Sequence, residues 1–271
     1  MNPSFEASIK EYVSKHSPKV FILTPCQESV CGTNYITSLI NTTNILKQYD
    51  IQYQIDFCCN DRIVSRSRNN LVTGAMADPT MTHMLFIDAE VSWNPQDVLK
   101  LLIANKYIAG GICPLKKYNW MRLANDPSVV QTWASIQKEN NMFQNYPTAP
   151  FIQHRLLEYN VALESNELKI ENNLAEVKYI GCEFMMIKRE TIDLLQKAFP
   201  STKYTNKNSP QIESYALFDC GVEEGGYMSE DQMFCSRWQK LGGNIMVDVT
   251  INLSQSGSEH FNGSFLSSVI S

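Results

Sequence analysis

The amino-acid sequence predicts an α/β fold, with a Rossmann-like, mixed but mainly parallel sheet flanked by helices. Short apolar runs alternate with amphipathic stretches through the first half of the chain, and Pro, Gly and Asp-Pro breakers separate them. Of the 271 residues, 44% are hydrophobic, which is enough for one substantial core and leaves little for a second full domain. We therefore expect a single domain over residues 1–271.

Strands and helices alternate in order through the first half. The predicted elements are strand Lys19–Thr24 ended by Pro25, helix Asn34–Tyr49, strand Gln52–Cys58, helix Arg62–Met76, strand His83–Ile87, a helix from Pro95 to Ile103 capped by Asn94, and strand Tyr107–Ile112. Ligands of open parallel sheets gather beyond the carboxyl ends of the strands. Asp88 and Glu90 directly follow the third strand, so we expect them at that edge.

The second half has a weaker pattern from Asn119 to about Asn173, where Phe151–Leu157 and Tyr159–Glu164 are the strand candidates. Order then returns. The predicted elements are strand Val177–Ile187, helix Glu190–Phe199 stopped by Pro200, helix Glu230–Leu241 entered through Ser229 and closed by Gly242 and Gly243, and strand Asn244–Val249.

Charge, hydropathy and cysteine usage argue against several classes of protein. The formal net charge is -5 with no long basic block, so we expect no nucleic-acid partner. No apolar segment approaches the roughly 20 residues of a membrane span, and no secretion signal is visible, which favours a soluble, cytoplasmic protein. The eight cysteines are scattered, mostly within apolar stretches, and are expected to be reduced, buried thiols rather than a zinc site.

The acidic pair Asp88 and Glu90 is the first candidate site. Two carboxylates one residue apart at a strand end can both turn toward one hard cation, and a diphosphate needs such a cation to offset its charge. An isolated acidic pair is more often a solvated strand end. Here a wholly apolar strand delivers the pair to the ligand edge of the sheet, which favours the metal site.

A second candidate is the helix start at Ser229, Glu230 and Asp231. A carboxylate at this place could take the proton from an acceptor hydroxyl as it attacks a sugar. Acids in a first helical turn also offset the helix dipole without any catalytic part. Considered alone, the two acids are better explained by the dipole.

A third set of candidate ligand-binding residues consists of two arginines and two glycines. Arg66 and Arg68 offer planar, forked donors suited to phosphate, although a solvated helical face would use the same residues. Gly110 and Gly111, followed by Lys116, would let the backbone approach a ligand closely, as would a simple turn.

Seven short motifs occur in order along the chain: TPC (24–26), SRSRN (65–69), THMLFIDAE (82–90), AGGICPLK (109–116), GCEFMMIKR (181–189), SEDQMFC (229–235) and LSQSG (253–257). Together they resemble the small GT-A glycosyltransferases of large DNA viruses and phages, and more distantly the fungal mannan-polymerase subunits. The similarity covers Lys19 to Phe265, except for residues 120–175.

The resemblance implies a GT-A fold, with a nucleotide-sugar half at residues 18–118 and an acceptor half at 119–271. It implies that Asp88 and Glu90 form the DxD motif and hold Mn²⁺ or Mg²⁺. The implied donor-binding residues are Thr24 and Pro25 at the base, Arg66 and Arg68 near the phosphates, Asp88 and Ala89, and Gly110 and Gly111 beside the sugar. Asp231 matches the general base of inverting members, with Glu230 helping to bind the acceptor; in retaining members this region only holds the acceptor, so the stereochemistry stays open.

Two residues depart from the family pattern. Glu90 stands where aspartate is usual but keeps the charge and the oxygen ligand. Gln255 stands where a histidine usually supplies the third metal ligand. Either Gln255 or His260 is the candidate replacement, or water holds the ion more weakly. A surface histidine is an equally good reading of His260.

We therefore expect a metal-dependent hexosyl- or pentosyltransferase that moves a sugar from a nucleotide-diphosphate donor, a UDP-sugar by preference, to a hydroxyl of an oligosaccharide or glycoprotein. Glycan synthesis on viral or surface glycoproteins, in the host cytoplasm if the chain is viral, would be its setting. The alternative is a degenerate nucleotide-sugar or glycan binding protein, for which Gln255 is the best clue. A Rossmann methyltransferase or dehydrogenase is distant, because the loop after the first strand has no GxGxxG.

Overall fold

A single large sheet runs through the computed structural model, which describes residues 3–125, 131, 135, 149–163, 168–206, 211–223 and 225–269. The helices are Pro3–His16, Thr33–Gln48, Val64–Met76, Pro95–Ala104, Met121–Asn125, Ala149–Leu156, Arg189–Ala198, Glu230–Lys240 and Phe265–Val269, with a 3₁₀ turn at Pro200–Thr202. The strands are β1 Lys19–Cys26, β2 Gln52–Cys59, β3 His83–Ile87, β4 Val91–Ser92, β5 Ile108–Gly110, β6 Pro114–Tyr118, β7 Leu157–Tyr159, β8 Val161–Leu163, β9 Ile170–Glu171, β10 Leu174–Ile180, β11 Phe184–Lys188, β12 Lys203–Thr205, β13 Glu213–Tyr215, β14 Gly221–Glu223, β15 Gly226–Met228, β16 Ile245–Asp248, β17 Ser254–Ser256 and β18 His260–Asn262.

The strand order of the large sheet is β2-β1-β3-β11-β5-β16-β10-β8, with β9 beside β10. Strands β1, β2 and β3 pair in parallel, and so do β5 and β16. Strand β11 lies between these two groups and is antiparallel to both of its neighbours, so the five strands share one direction. The predicted α/β class, a mixed sheet flanked by helices, is confirmed and is compatible with a Rossmann-like GT-A fold.

Both faces of the sheet are covered, and this explains the continuous apolar runs in the sequence. Along β1, Phe21 and Leu23 belong to one buried cluster, whereas Val20 and Ile22 belong to the cluster on the opposite face. Strand β3 alternates in the same way. A strand that is buried on both sides needs apolar residues at every position rather than at every second one.

Pro25 does not end the first strand as predicted. Strand β1 continues to Cys26, and Pro25 pairs in register with Cys58 of β2. On the other side β3 pairs only with Val20–Leu23, so the missing N–H of Pro25 leaves no bond to β3 unmade.

The capping predictions for two helices are confirmed. The side chain of Asn94 accepts a hydrogen bond from the backbone N–H of Gln96 at 3.0 Å, and Asp97 accepts one from the backbone of Asn94 at 3.3 Å. At the later helix, Gln232 Oε1 accepts from the backbone N–H of Ser229 at 3.0 Å. Both helix starts are therefore tied to the residue before them.

The predicted single strand Val177–Ile187 is wrong. The chain forms β10, turns at Gly181–Glu183 and forms β11, and these two strands are separated in the sheet by β5 and β16. The part of β10 inside the predicted strand, Val177–Ile180, is apolar except for the exposed Lys178, and no proline or polar cluster separates it from β11, so the pattern does not show the break.

The prediction of a strand at Phe151–Leu157 is also wrong, because Ala149–Leu156 is a helix. Its residues Gln153 and Leu156, three apart, are buried. In place of the predicted strand Tyr159–Glu164 the structure has β7 ending at Tyr159 and β8 at Val161–Leu163, and Glu164 lies outside the described residues.

The helix Pro3–His16 was not predicted. It packs Ile9 and Tyr12 into the core beside the helix Pro95–Ala104. No helix in the described part of the chain is long and apolar enough to span a membrane. All eight cysteines are free and four of them are buried, Cys26, Cys113, Cys182 and Cys235, so the expected burial is only partly met.

Candidate functional site

The candidate site is a cavity of about 490 Å³ at the carboxyl ends of β1 and β3. The residues that follow β3, Asp88, Ala89 and Glu90, line it on one side. The rest of its wall comes from the loop after β1 and from the start of the next helices: Pro25, Gln27, Glu28, Val30, Gly32, Asp61, Val64 and Ser67. This is the ligand edge that the sheet topology predicts.

Arg68 is the buried cation behind this cavity, with 3% of its side chain exposed. Its Nη2 donates to Asp88 Oδ1 at 3.1 Å, and its Nε donates to Glu230 Oε1 at 3.3 Å. Its Nη1 is buried and has no hydrogen-bond partner among the described residues. Arg68 therefore connects Asp88 to the helix that carries Glu230. Its Nη1 group remains able to donate to a further partner.

Glu90 is held by residues from two other segments. Its Oε1 lies 2.6 Å from the Nζ of Lys116 and accepts a hydrogen bond from Gln255 Nε2 at 3.1 Å. Gln255 reaches Glu90 because β17 pairs with β4, with Gln255 opposite Val91, and because Ser256 N–H donates to the backbone oxygen of Glu90 at 2.9 Å. The late segment of the chain is thus anchored beside the acidic pair.

His260 lies near this region but not with the two acids. Its Nδ1 is 3.3 Å from Ser256 Oγ and 3.5 Å from Asn34 Nδ2, and the residue is exposed. In the described ranges, no three His, Cys, Asp or Glu residues form a group able to hold a metal ion.

The donor set at Asp88 and Glu90 nevertheless fits a divalent ion that shares its coordination with a ligand. Mg²⁺ usually takes one or two carboxylates and fills its remaining positions with phosphate oxygens and water, rather than binding in an all-protein cage. The amide of Gln255 points to Glu90, and its oxygen and nitrogen can exchange places. Asp88, Glu90 and Gln255 are therefore the candidate residues for holding a divalent ion.

Other predicted donor residues have structural explanations of their own. Thr24 is fully buried, and its hydroxyl bonds to that of Tyr35 at 2.5 Å, beneath the cavity rather than in its wall. Arg66 forms two hydrogen bonds with Asp61, each 2.7 Å long, and lines a neighbouring cavity.

Gly110, the last residue of β5, and Gly111, directly after it, are required by packing. A Cβ atom on Gly110 would lie 2.5 Å from Ile180 Cδ1 and 2.6 Å from the carbonyl oxygen of Phe184. A Cβ atom on Gly111 would lie 2.5 Å from Ile251 Cγ2. Neither glycine lines the cavity around Asp88.

Asp231 is buried at the start of the helix Glu230–Lys240. Its Oδ1 accepts hydrogen bonds from Ser229 Oγ and, at 2.8 Å, from the backbone N–H of Gln232. Its Oδ2 lies 3.5 Å from Asn160 Nδ2. One oxygen of Asp231 thus bonds within the first turn of the helix, and the other faces the amide of Asn160.

Sequence reasoning missed Glu183 and Asn160 as members of this site. Asn160 Nδ2 donates to Glu183 Oε1 at 2.7 Å, and the backbone oxygen of Glu183 accepts from Asp88 N–H at 3.2 Å. Burial, and after it the negative charge of Asp88, raises the pKa of Glu183 to about 7. The one available signal was an acid in an otherwise apolar segment, GCEFMMI at 181–187.

Comparison with known proteins gives a distant likeness among solved structures. No family model matches the sequence, and no curated protein matches it. Among solved structures, the crystal structure of A197 from STIV is similar to this chain at 15% sequence identity and a TM-score of 0.46, over 91% of this chain and 90% of that one.

Proposed function

We propose that the chain is a glycosyltransferase that takes a sugar from a nucleotide-diphosphate donor, a UDP-sugar by preference, and places it on a hydroxyl of an oligosaccharide or glycoprotein. The observation that carries the proposal is the unpartnered Nη1 of buried Arg68, next to Asp88 at the ligand edge of the sheet. A buried guanidinium with a donor to spare suits a phosphate oxygen, and the adjacent carboxylates suit the cation that accompanies a diphosphate.

The proposed reaction breaks the bond between the anomeric carbon and the diphosphate oxygen, and the diphosphate leaves with the electron pair. Mn²⁺ or Mg²⁺ at Asp88 and Glu90 would supply charge stabilisation to that leaving group. Arg68 adds a second positive charge from behind the cavity. Asp231 Oδ2 accepts the proton of the acceptor hydroxyl as its oxygen bonds to the anomeric carbon, which inverts the stereochemistry there.

A degenerate nucleotide-sugar binding protein is the second candidate. Gln255 favours it, because an amide is a weaker metal ligand than the histidine implied by the family pattern, and in the folded chain its nitrogen faces Glu90. Such a protein would bind the donor and would not turn it over.

A thermal-shift screen followed by a turnover assay tests both candidates. UDP, GDP, CMP and dTDP are added with and without Mn²⁺, since a ligand selective for the folded state raises its melting temperature. A metal-dependent shift with one nucleotide, followed by release of that nucleotide from its sugar conjugate, is the expected result. A shift without turnover on a panel of acceptors would favour the binding protein, and the absence of a shift with every nucleotide would contradict the donor site.

A further inference from the structure

The ammonium group of Lys116 lies beside Glu90, where a metal ion would bind. Its Nζ lies 2.6 Å from Glu90 Oε1, with 36% of the Lys116 side chain and 45% of the Glu90 side chain exposed. Gln255 Nε2 donates to the same oxygen at 3.1 Å. That oxygen of Glu90, the expected ligand of the divalent ion, is therefore already bound by two donors.

The fold directs Lys116 to this place. It lies in the middle of β6, and its stem passes over Gly257, where an added Cβ atom would lie 3.0 Å from Lys116 Cδ. The next residue, Lys117, pairs instead with Glu158 at 2.9 Å, as expected where successive strand residues point to opposite faces. Only one of the two adjacent lysines therefore serves the site.

A lysine ammonium and a divalent ion compete for a shared carboxylate oxygen, because their like charges repel at that distance. The pair between Lys116 and Glu90 is partly exposed, so it is weak and reversible. The flexible stem of lysine allows its ammonium to exchange one anion for another nearby. A diphosphate entering the cavity beside Glu90 would bring such an anion.

We propose that Lys116 is a further diphosphate-binding residue that guards Glu90. Without nucleotide its ammonium holds Glu90 and weakens binding of the divalent ion. When a nucleoside diphosphate binds, the ammonium moves to a phosphate oxygen, and Glu90 becomes available to the ion. The inference rests on the proposed function and makes ion and nucleotide binding mutually supportive.

The variant Lys116→Gln tests the inference in two separate titrations, both read as binding rather than activity. Mn²⁺ is titrated without nucleotide, and UDP is titrated without metal in the presence of EDTA. We expect Mn²⁺ to bind at least about fivefold more tightly to the variant, and UDP to bind at least about fivefold more weakly, which is the lower end of ordinary coupling between sites. Opposite changes for two ligands are not expected from a damaged fold.

Two further variants serve as controls. Lys117→Gln removes the adjacent lysine, which pairs with Glu158, and should leave both affinities unchanged. Lys116→Arg keeps the charge and should stay close to the wild type in both titrations.

A Lys116→Gln variant that weakens both ligands, or changes neither, overturns the inference while the proposed function stands. If the wild-type chain binds none of the screened nucleotides, with or without Mn²⁺, the result contradicts both the proposed function and the inference that rests on it.

Discussion

The carboxyl group of Glu183 folds back over the turn between β10 and β11, and any side chain at Gly181 would overlap its Oε2 and the amide of Asn160. That Oε2 is buried and has no hydrogen-bond partner among the described residues. A carboxylate in such a place loses hydration without full compensation, so its protonated form is favoured. The turn geometry, rather than a spacing visible in the sequence, creates this environment.

The stability of the chain should therefore depend on pH through Glu183. Its pKa rises from 4.5 to about 7 in the folded state, so its contribution is fully present below about pH 4.5 and is lost as the pH rises through about 7. The shift corresponds to a free energy on the order of 3 kcal/mol. Glu183→Gln, which mimics the neutral acid, should unfold at higher urea than the wild type at pH 8 and should lose this advantage at pH 5.

Glu176, an exposed residue of β10, provides the control for that comparison. Urea titrations of Glu176→Gln should follow the wild type at both pH values. If Glu183→Gln is equally or less stable than the wild type at pH 8, the proposed burial of a neutral carboxyl is incorrect.

At the scale of elements, the sequence predicts well wherever burial is uniform along a segment. Strand β3 is predicted residue for residue because every side chain in it is buried, and Asp88 follows it without interruption. The prediction fails at Val177–Ile187, where the alternating strand β10 leads through the short turn Gly181–Glu183 into the buried strand β11 with no proline or polar cluster between them. Lys116 could be noted beside the glycines, but its pairing with Glu90 depends on how β6 lies against β17, which no local pattern contains.

Substitution by alanine at two glycines in different elements should change the stability of the chain in opposite directions. Gly74 is exposed in the helix Val64–Met76, with no atom within 4 Å of an added Cβ, so Gly74→Ala should stabilise the chain by about 0.5–1 kcal/mol through helix propensity. Gly110→Ala forces a Cβ against the backbone oxygen of Phe184 in β11 and should cost about 1–3 kcal/mol. Free energies of unfolding from urea titrations measure both, and a neutral Gly110→Ala would mean that β5 and β11 separate easily.

At the scale of the whole molecule, the site is assembled from distant parts of the chain. The residues at 88–90 meet the 253–257 segment through β4 and β17, and Arg68 connects them to the helix that begins at Glu230. Sequence order contains the motifs but not these contacts; only the resemblance to a family indicated that they belong together. Asn160 and Glu183 join the site through the same kind of long-range contact.

This assembly predicts that ion binding depends on the acidic pair while the fold does not. Glu90→Gln keeps the shape of the partly exposed side chain and removes its charge. The Mn²⁺-dependent part of the UDP thermal shift should disappear, with the melting temperature of the free chain unchanged. Glu213→Gln, at an exposed ion pair with Lys203 outside the cavity, is the matched control. An intact metal-dependent shift in Glu90→Gln would remove Glu90 from the metal site.

A substitution at Asp231 should distinguish donor binding from the catalytic step. Asp231→Asn keeps an oxygen for the helix cap but cannot accept a proton at neutral pH, so the UDP thermal shift should persist while turnover falls by about 10²–10⁴-fold, the usual contribution of a general base. Asp193→Asn, at a partly exposed acid that lies 3.8 Å from Arg189 within the helix Arg189–Ala198, should keep full turnover. Because a retaining enzyme would use Asp231 only to hold the acceptor, a variant with near-normal kcat and a raised KM would assign it to acceptor binding and would make inversion through this residue untenable.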